Sequence, residues 1–212
     1  MPRVFLLSPA HCRGRRARQV LSPAAGSELA AALRSRRGAP LGEVFRFVSG
    51  LYFRGKLAYA ERFAAPPDPG DPAVGRGVLV ITPDAGLCPP EARLTARRLR
   101  AFAAASIDPA NAGYRRPLAR SARALARAIG PACDVVLLGS IASPKYTSVL
   151  LGVFGERLLF PIDFVGRGDM SRGGLLLRMA AAGRELEYAP VAASVLHGPR
   201  PPRLDHLGEP PG

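Results

Sequence analysis

Four short runs of uninterrupted apolar residues constrain the fold of this chain more than any other feature. They cover residues 4–7, 78–81, 135–138 and 158–160. A strand with one face in water alternates apolar and polar residues, whereas a strand covered on both faces is apolar throughout. The four runs are therefore predicted to be strands of a sheet that is covered on both faces.

Segments with helical periodicity separate these runs and cover residues 28–37, 43–63, 91–105 and 115–129. Further helices are predicted after Ser143 and Ser171. Alternating strands and helices are typical of the α/β class. We predict a single α/β domain over residues 1–197, with a mainly parallel sheet of about four to five strands flanked by helices in a Rossmann-like three-layer arrangement. The Pro-rich tail, residues 198–212, is predicted to be disordered.

The charge balance restricts the kinds of partner. The 212 residues include 30 Lys and Arg against 16 Asp and Glu, which leaves a formal net charge of +14. Such an excess favours a negatively charged partner, and we predict nucleic acid or a nucleotide. Only Lys56 and Lys145 are lysines, so the excess is carried almost entirely by arginine.

Cysteine usage and run length predict a cytoplasmic protein without a membrane partner. The three cysteines are scattered and odd in number, which is typical of a reducing compartment and not of a disulfide framework. The apolar runs are too short to cross a bilayer. We predict no cofactor and no metal site, because His197 and His206 lie in or near the tail. The oligomeric state is left open.

Polar residues follow each of the four predicted strands. Because ligands bind outside the carboxyl ends of the strands in an open parallel sheet, these residues are predicted to line one cleft. The candidate catalytic residues are Asp84, which is the preferred general base, together with Lys145 and Asp169. The candidate ligand-binding residues are Ser8, Cys12, Ser140, Ser143, Tyr146, Asp163, Arg167 and Arg172.

Several of these residues also have a purely structural interpretation. Ser8 and Ser143 each precede a proline, a pattern typical of a helix N-cap, and Ser171 has the position of a cap for a helix beginning near Gly173. Cys12 lies in a basic loop that could lower the pKa of its thiol, but a buried, unreactive cysteine is the competing interpretation.

The segment from residue 166 to 174, GRGDMSRGG, is the most distinctive local feature. Its four glycines allow close approach of the backbone to a ligand, and the following helix N-terminus favours an anion. Arg167 and Arg172 could hold a phosphate or carboxylate in bidentate fashion. The alternative is a flexible linker that precedes an ordinary capped helix.

The helix predicted over residues 115–129 carries an arginine stripe without acidic residues. Stripes of this kind contact phosphate backbones, although a solvated helix face is the alternative. A similar arrangement is predicted for the preceding helix, with Arg93, Arg97 and Arg100. The candidate nucleic-acid-binding residues are Arg116, Arg120, Arg123 and Arg127, and the opposite, apolar face carries Leu118, Ala122, Leu125 and Ile129.

Three segments in order, LLSPAHC, SGLYFRGKLAYAERF and VLVITPDAGLCPPE, resemble a known family. They are similar to uncharacterised bacterial α/β proteins related to the C-terminal module of archaeosine synthase, a group with the uracil-DNA-glycosylase-like fold. The resemblance covers about residues 3–152. The matching positions include Cys12, Gly86 and Glu91, whereas Asp84 and Ala85 stand where the family has Lys-His.

The resemblance implies a nucleobase or nucleic-acid setting. Together with the charge, it leads us to predict a nucleic-acid- or nucleotide-binding protein, with action on a nucleobase or glycosidic bond as an extension. Two alternatives stay open. One is a small-molecule enzyme acting on an anionic, phosphorylated or carboxylated metabolite, and the other is a non-catalytic adaptor with a basic surface.

Overall fold

The parallel strands of the sheet are the apolar runs identified from the sequence. In a computed structural model that describes residues 1–141 and 144–193, strand β1 (Arg3–Leu7) lies between β3 (Val78–Thr82) and β6 (Asp134–Leu138). Both pairings are parallel, and β7 (Leu158–Pro161) extends the sheet in parallel from β6. The strand residues of β3 and nearly all of those of β1 and β6 are buried, as expected for a sheet covered on both faces.

Two short antiparallel strands complete the sheet at its edges. Strand β4 (Gly86–Cys88) pairs with β3, and β8 (Tyr188–Pro190) pairs with β7, which makes the order β4-β3-β1-β6-β7-β8. Six strands exceed the predicted four to five, because three-residue edge strands carry no apolar run that the sequence could reveal. A separate two-stranded ribbon pairs β2 (Ala39–Pro40) with β5 (Arg93–Leu94).

Eight α-helices occur in the part of the chain that the structure describes. Three short 3₁₀ turns, at Gly155–Arg157, Ile162–Phe164 and Val191–Ala193, join or follow them. The helices are α1 (Arg15–Leu21), α2 (Glu28–Arg34), α3 (Leu41–Ser49), α4 (Leu51–Phe63), α5 (Ala96–Ala104), α6 (Ala112–Ile129), α7 (Pro144–Phe154) and α8 (Asp169–Ala181).

The helix boundaries correct several predictions. The segment predicted as one helix over residues 43–63 is two helices, because Gly50 has φ +62° and turns the chain between α3 and α4. Helix α5 begins only after the Thr95 N-cap, so Arg93 lies on strand β5 and not on the arginine face of a helix. Helix α1 includes part of the segment after Cys12, residues 13–18, for which the sequence predicts a basic loop.

The direction of the chain across the sheet assigns the helices to two faces. Crossovers between parallel strands are right-handed, and β1 connects to β3 in one direction while β3 connects to β6 in the other. The first crossover contains α1 to α4, and the second contains α5 and α6. Helix α8 packs against α4, and α7 packs against α6, so each extends the layer of its neighbour.

Helices α4 and α8 approach so closely that glycine is required on both. A Cβ atom at Gly55 would lie 2.5 Å from the carbonyl oxygen of Gly173, and one at Gly173 would lie 2.8 Å from the Cα of Tyr52. Real Cβ atoms do not approach other atoms at these distances. The pair of glycines therefore sets the separation at which α8 docks on α4.

No helix within residues 1–141 and 144–193 has the length and apolar character needed to cross a membrane.

Substituting Gly173 tests this docking. We expect Gly173→Ala to lower the free energy of unfolding by about 1–3 kcal/mol, because the new methyl group overpacks the contact with α4. Gly174→Ala is the matched control, since a Cβ there meets nothing within 4 Å. It should raise stability by roughly 0.5–1 kcal/mol through helix propensity. Urea denaturation of both variants measures the difference, and equal stabilities would contradict the close approach.

Candidate functional site

The order of the strands places a topological switch point between β1 and β6. The chain leaves β1 toward β3 and later crosses to the other side of β1 to form β6, so the connections after β1 and after β6 diverge to opposite faces. Ligands of open α/β sheets bind in the crevice at such a switch point. Ser8 directly follows β1 and Gly139 directly follows β6, so both lie at this position.

A buried lysine from α4 ends at Ser8. The Nζ of Lys56 donates to the backbone carbonyl oxygen of Ser8 at 2.6 Å and lies 2.8 Å from the Ser8 Oγ. The same nitrogen lies 4.5 Å from the ring centroid of Tyr52 and 5.1 Å from that of Phe53. Lys56 is only 1% exposed. The amine is therefore held against the end of β1 by two oxygens and two aromatic rings.

Burial lowers the pKa of Lys56 from its ordinary 10.5 to about 7, with the more distant negative charge of Asp169 opposing the shift. Within the described chain no carboxylate contacts the amine. A buried ammonium without a paired anion is costly, which is the physical reason that the neutral form becomes populated near neutral pH. A neutral amine has one lone pair, which can accept the Ser8 hydroxyl proton.

Glycine at position 139 is needed for Ser8 to occupy this site. A Cβ atom at Gly139 would lie 2.9 Å from the Ser8 Cβ and 3.1 Å from the Ser8 Oγ. Strands β1 and β6 are neighbours, and Leu7 pairs with Leu138 just before these two residues. The absence of a side chain at Gly139, directly after β6, thus leaves room for Ser8, directly after β1.

Tyr52 adds a buried hydroxyl to the same region. Its Oη makes no hydrogen bond of standard geometry among the described residues. Burial raises the pKa of Tyr52. The nearby Arg172 guanidinium opposes this shift through its charge and through its contact with the hydroxyl, and the negative charge of Asp169 adds to it. Burial likewise raises the pKa of Tyr146, again with a contribution from Asp169. Asp169 therefore acts on groups from α4 and α7 as well as on its own helix.

We use the name rim cluster for the residues that these contacts and charges bring together. They are Ser8, Tyr52, Lys56, Tyr146, Asp169 and Arg172.

The two arginines of the glycine-rich segment are engaged with their own loop. Arg167 donates from Nε to the carbonyl oxygen of Asp163 at 2.9 Å and from a terminal nitrogen to the Ser171 Oγ at 3.3 Å. Arg172 donates twice to the carbonyl oxygen of Phe164, at 3.1 and 2.9 Å, and lies 3.7 Å from Asp169. These bonds use two of the five N–H donors of each guanidinium and hold both side chains against the turn before α8.

Other predicted residues lie around the carboxyl ends of the strands without contacting Lys56. Asp84, in the turn between β3 and β4, accepts from Arg98 at 2.8 Å. Lys145 is exposed in the first turn of α7, where its carbonyl oxygen accepts from the Tyr114 hydroxyl at 2.8 Å. Ser140 is half-buried after Gly139. Asp163 is exposed, and Ser143 lies outside the described residues.

The structural interpretations of the serines and of Cys12 are also resolved in part. Ser8 does not cap a helix, because α1 begins at Arg15 after Gly14. Ser171 lies inside the first turn of α8, which begins at Asp169, so the predicted cap at Ser171 is wrong. Burial raises the pKa of Cys12 to about 12, the direction opposite to an activated thiol.

The arginine stripe forms a second candidate site on α6. Arg115, Arg116, Arg120 and Arg123 are exposed and line a groove of 670 Å³ between α6 and α7. The groove wall on α7 consists of Ser148, Val149, Gly152 and Val153. The predicted apolar face is confirmed, since Leu118, Ala122, Leu125 and Ile129 are all buried. Arg127 is exposed on the same stripe beyond the groove.

Lys56 and Tyr52 are the site residues that sequence reasoning missed. The signal was present, because Lys56 is one of two lysines in a chain that otherwise uses arginine, and it lies four residues after Tyr52 on one helix face. Lys145 was predicted instead, because it follows a predicted strand and Lys56 lies within a predicted helix. A helix that points a lysine at the end of a strand leaves no such local pattern.

Stability as a function of pH tests the protonation of Lys56. Between about pH 7 and 10.5 the unfolded chain holds a proton that the native state has released. The free energy of unfolding should therefore rise with pH in this window, by at most about 1.4 kcal/mol per pH unit. Below the window both states hold the proton, so the contribution of Lys56 should not change with pH. Lys56→Met should lack this slope in urea denaturation from pH 6 to 9.5.

Lys145→Met, which removes the exposed lysine, is the charge-matched control for that measurement. Identical slopes for the two variants would show that Lys56 stays protonated in the native state.

No protein-family model matches this chain, and neither the curated proteins nor the solved structures contain a match. The resemblance of residues 3–152 to the proteins related to archaeosine synthase stays a prediction. The function must accordingly be argued from the geometry of the two candidate sites.

Proposed function

We propose that the protein binds nucleic acid through its phosphate backbone, along the groove between α6 and α7. The observation that carries this proposal is a set of four exposed arginines on one groove with no acidic side chain among the lining residues. Phosphate contacts of this kind supply affinity without requiring any base to be read.

The four groove arginines differ from arginines such as Arg46 and Arg98, which are paired with carboxylates, and they differ from the other exposed arginines in lining one groove. Arg46 pairs with both Glu43 and Glu61, and Arg98 pairs with Asp84. No side chain of the groove arginines forms an ion pair or hydrogen bond within the part of the chain that the structure describes. Their guanidinium groups are therefore available to an external anion, and their mutual repulsion is relieved when one binds.

The spacing of the arginines fits a polymer better than a single small anion. Arg116, Arg120 and Arg123 follow one another at helical intervals and span about 10 Å along the axis of α6, at about 1.5 Å per residue. That length corresponds to about three nucleotide steps of roughly 3.4 Å along a duplex. Guanidinium groups on one helix face can thus contact successive phosphates, which sequence-independent binding requires.

The alternative of an anionic small-molecule enzyme has less support. Its anion clamp was Arg167 and Arg172, and both donate to carbonyl oxygens within their own turn. The alternative of an acidic protein partner uses the same groove as the proposal, so only a binding experiment separates the two.

Salt dependence tests the proposal. Duplex DNA, single-stranded DNA and RNA are titrated by fluorescence anisotropy at several salt concentrations. For duplex DNA, four phosphate contacts predict a log–log slope of about −3.6 and a loss of affinity of about 150-fold between 50 and 200 mM salt. The double variant Arg120→Glu/Arg123→Glu should weaken binding and flatten the slope by about 1.8.

The matched control is Arg36→Glu/Arg37→Glu, which changes the net charge equally at two exposed arginines outside the groove. The control should bind nearly as the unmodified protein does. If the two double variants lose equal affinity, the groove is not the binding surface. If none of the three nucleic acids binds at low salt, the proposal fails and the acidic protein partner takes its place.

A further inference from the structure

We propose that Ser8 and Lys56 form a catalytic dyad, with the Ser8 Oγ as nucleophile and the Lys56 Nζ as general base, that hydrolyses an uncharged carboxylic ester at the crevice between β1 and β6. This activity goes beyond nucleic-acid binding and uses none of the groove residues. The two proposals can therefore be tested independently.

The geometry of the pair is that of a nucleophile and its base. The separation of 2.8 Å between the Ser8 Oγ and the Lys56 Nζ falls within the range for a general base in contact with its nucleophile. The second contact, from Nζ to the Ser8 carbonyl oxygen at 2.6 Å, uses one N–H of the amine and fixes its orientation. The rings of Tyr52 and Phe53 enclose the rest of the group. The lone pair of the neutral amine is then free to face the serine hydroxyl.

Two opposing effects set the protonation of Lys56. Burial favours the neutral amine that a base must be, whereas the charge of Asp169 on α8 and the ring faces of Tyr52 and Phe53 favour the ammonium, and burial is the largest effect. Both hydrogen-bonding partners belong to one uncharged residue, Ser8. The described residues place no carboxylate in contact with the nitrogen, and Lys56 is fully enclosed.

The nucleophile is nearer the surface than its base. Ser8 is 6% exposed, whereas Lys56 is 1% exposed behind it. Ser8 is the first residue after the central strand, at the switch point where ligands of open sheets bind. Gly139 on the neighbouring strand presents no side chain against the serine. A substrate that reaches the crevice therefore meets the hydroxyl before the amine.

The chemistry of the walls indicates the class of substrate. Aromatic faces around the amine disfavour a charged group such as a phosphate monoester. The Tyr52 hydroxyl lies on the same face of α4, one turn before Lys56, and makes no hydrogen bond of standard geometry within the described chain, although the Arg172 guanidinium lies near it. A substrate carbonyl oxygen would accept its hydrogen bond. An uncharged ester satisfies both conditions.

The proposed reaction consumes only the ester and water. The Ser8 Oγ attacks the ester carbonyl carbon while its proton passes to the Lys56 Nζ. The tetrahedral intermediate collapses by breaking the bond to the alcohol oxygen, which takes the proton from Lys56. Water then attacks the acyl carbon and gives a proton to Lys56, and Ser8 leaves with that proton as the carboxylic acid is released.

Acylation by p-nitrophenyl acetate tests the dyad in the full chain. We expect a burst of p-nitrophenolate and an acetyl group on Ser8, detected by intact-protein mass spectrometry after acid quench and located by peptide mapping. Ser8→Ala should abolish both signals. Lys56→Met should slow acylation by about 10²- to 10⁴-fold, the usual contribution of a general base. Ser106→Ala, which removes an exposed serine elsewhere, should react as the unmodified protein does.

The pH profile separates a base from a structural lysine. The acylation rate of the unmodified protein should rise to a plateau with a half-maximum near pH 7, the pKa of Lys56. Circular dichroism checks that each variant is folded. Ser8→Ala changes one hydroxyl only, so it keeps the test decisive if Lys56→Met does not fold.

Three results would overturn the dyad. One is acetylation of any residue other than Ser8, including Lys56 itself. Another is unchanged acylation in folded Ser8→Ala, and the third is the absence of acylation of the folded, unmodified protein across the pH range. Because Ser8→Ala leaves the groove intact, it should bind nucleic acid normally, and Arg120→Glu/Arg123→Glu should still be acylated. Failure of one activity therefore does not imply failure of the other.

Discussion

The parallel pairing of β1 with β3 on one side and β6 on the other is the constraint on which the rest of the structure depends. It buries β1 in the middle of the sheet and forces successive crossovers onto opposite faces. The same pairing opens the crevice at the carboxyl ends of β1 and β6. Ser8 lies in that crevice because it is the first residue beyond the central strand, and α4 packs against β1 closely enough for Lys56 to reach it.

Electrostatics divides the surface into two regions with different chemistry. Acidic residues are few, and where they occur several are paired with arginines, as Glu43 and Glu61 are with Arg46. The groove on α6 has no such partners, so its positive charge is exposed to solvent and to polyanions. At the rim cluster, by contrast, burial suppresses the charge of Lys56. The proposed binding of a polyanion rests on the first of these regions, and the proposed reaction on an uncharged ester rests on the second.

Much of the architecture could be predicted because it depends on local patterns. The interior strands are continuously apolar, and α6 has one apolar face and one arginine-rich face. Both patterns are visible in the sequence. The edge strands β4 and β8 could not be predicted, since three residues paired on one side carry no periodic signal. The break at Gly50 was not predicted, because glycine also occurs inside helices and the sequence does not show which glycine adopts a positive φ.

The sequence by itself determined the α/β class, the buried strands and the arginine stripe, because each follows from the periodicity of neighbouring residues. Only the tertiary structure decided which polar groups meet. Ser8 and Lys56 are 48 residues apart in the sequence. Their contact depends on α4 packing against β1 so that Lys56 lies beside the end of the strand. It likewise decided that Arg167 and Arg172 bond to their own turn, since the positions of nearby carbonyl oxygens are a property of the folded backbone.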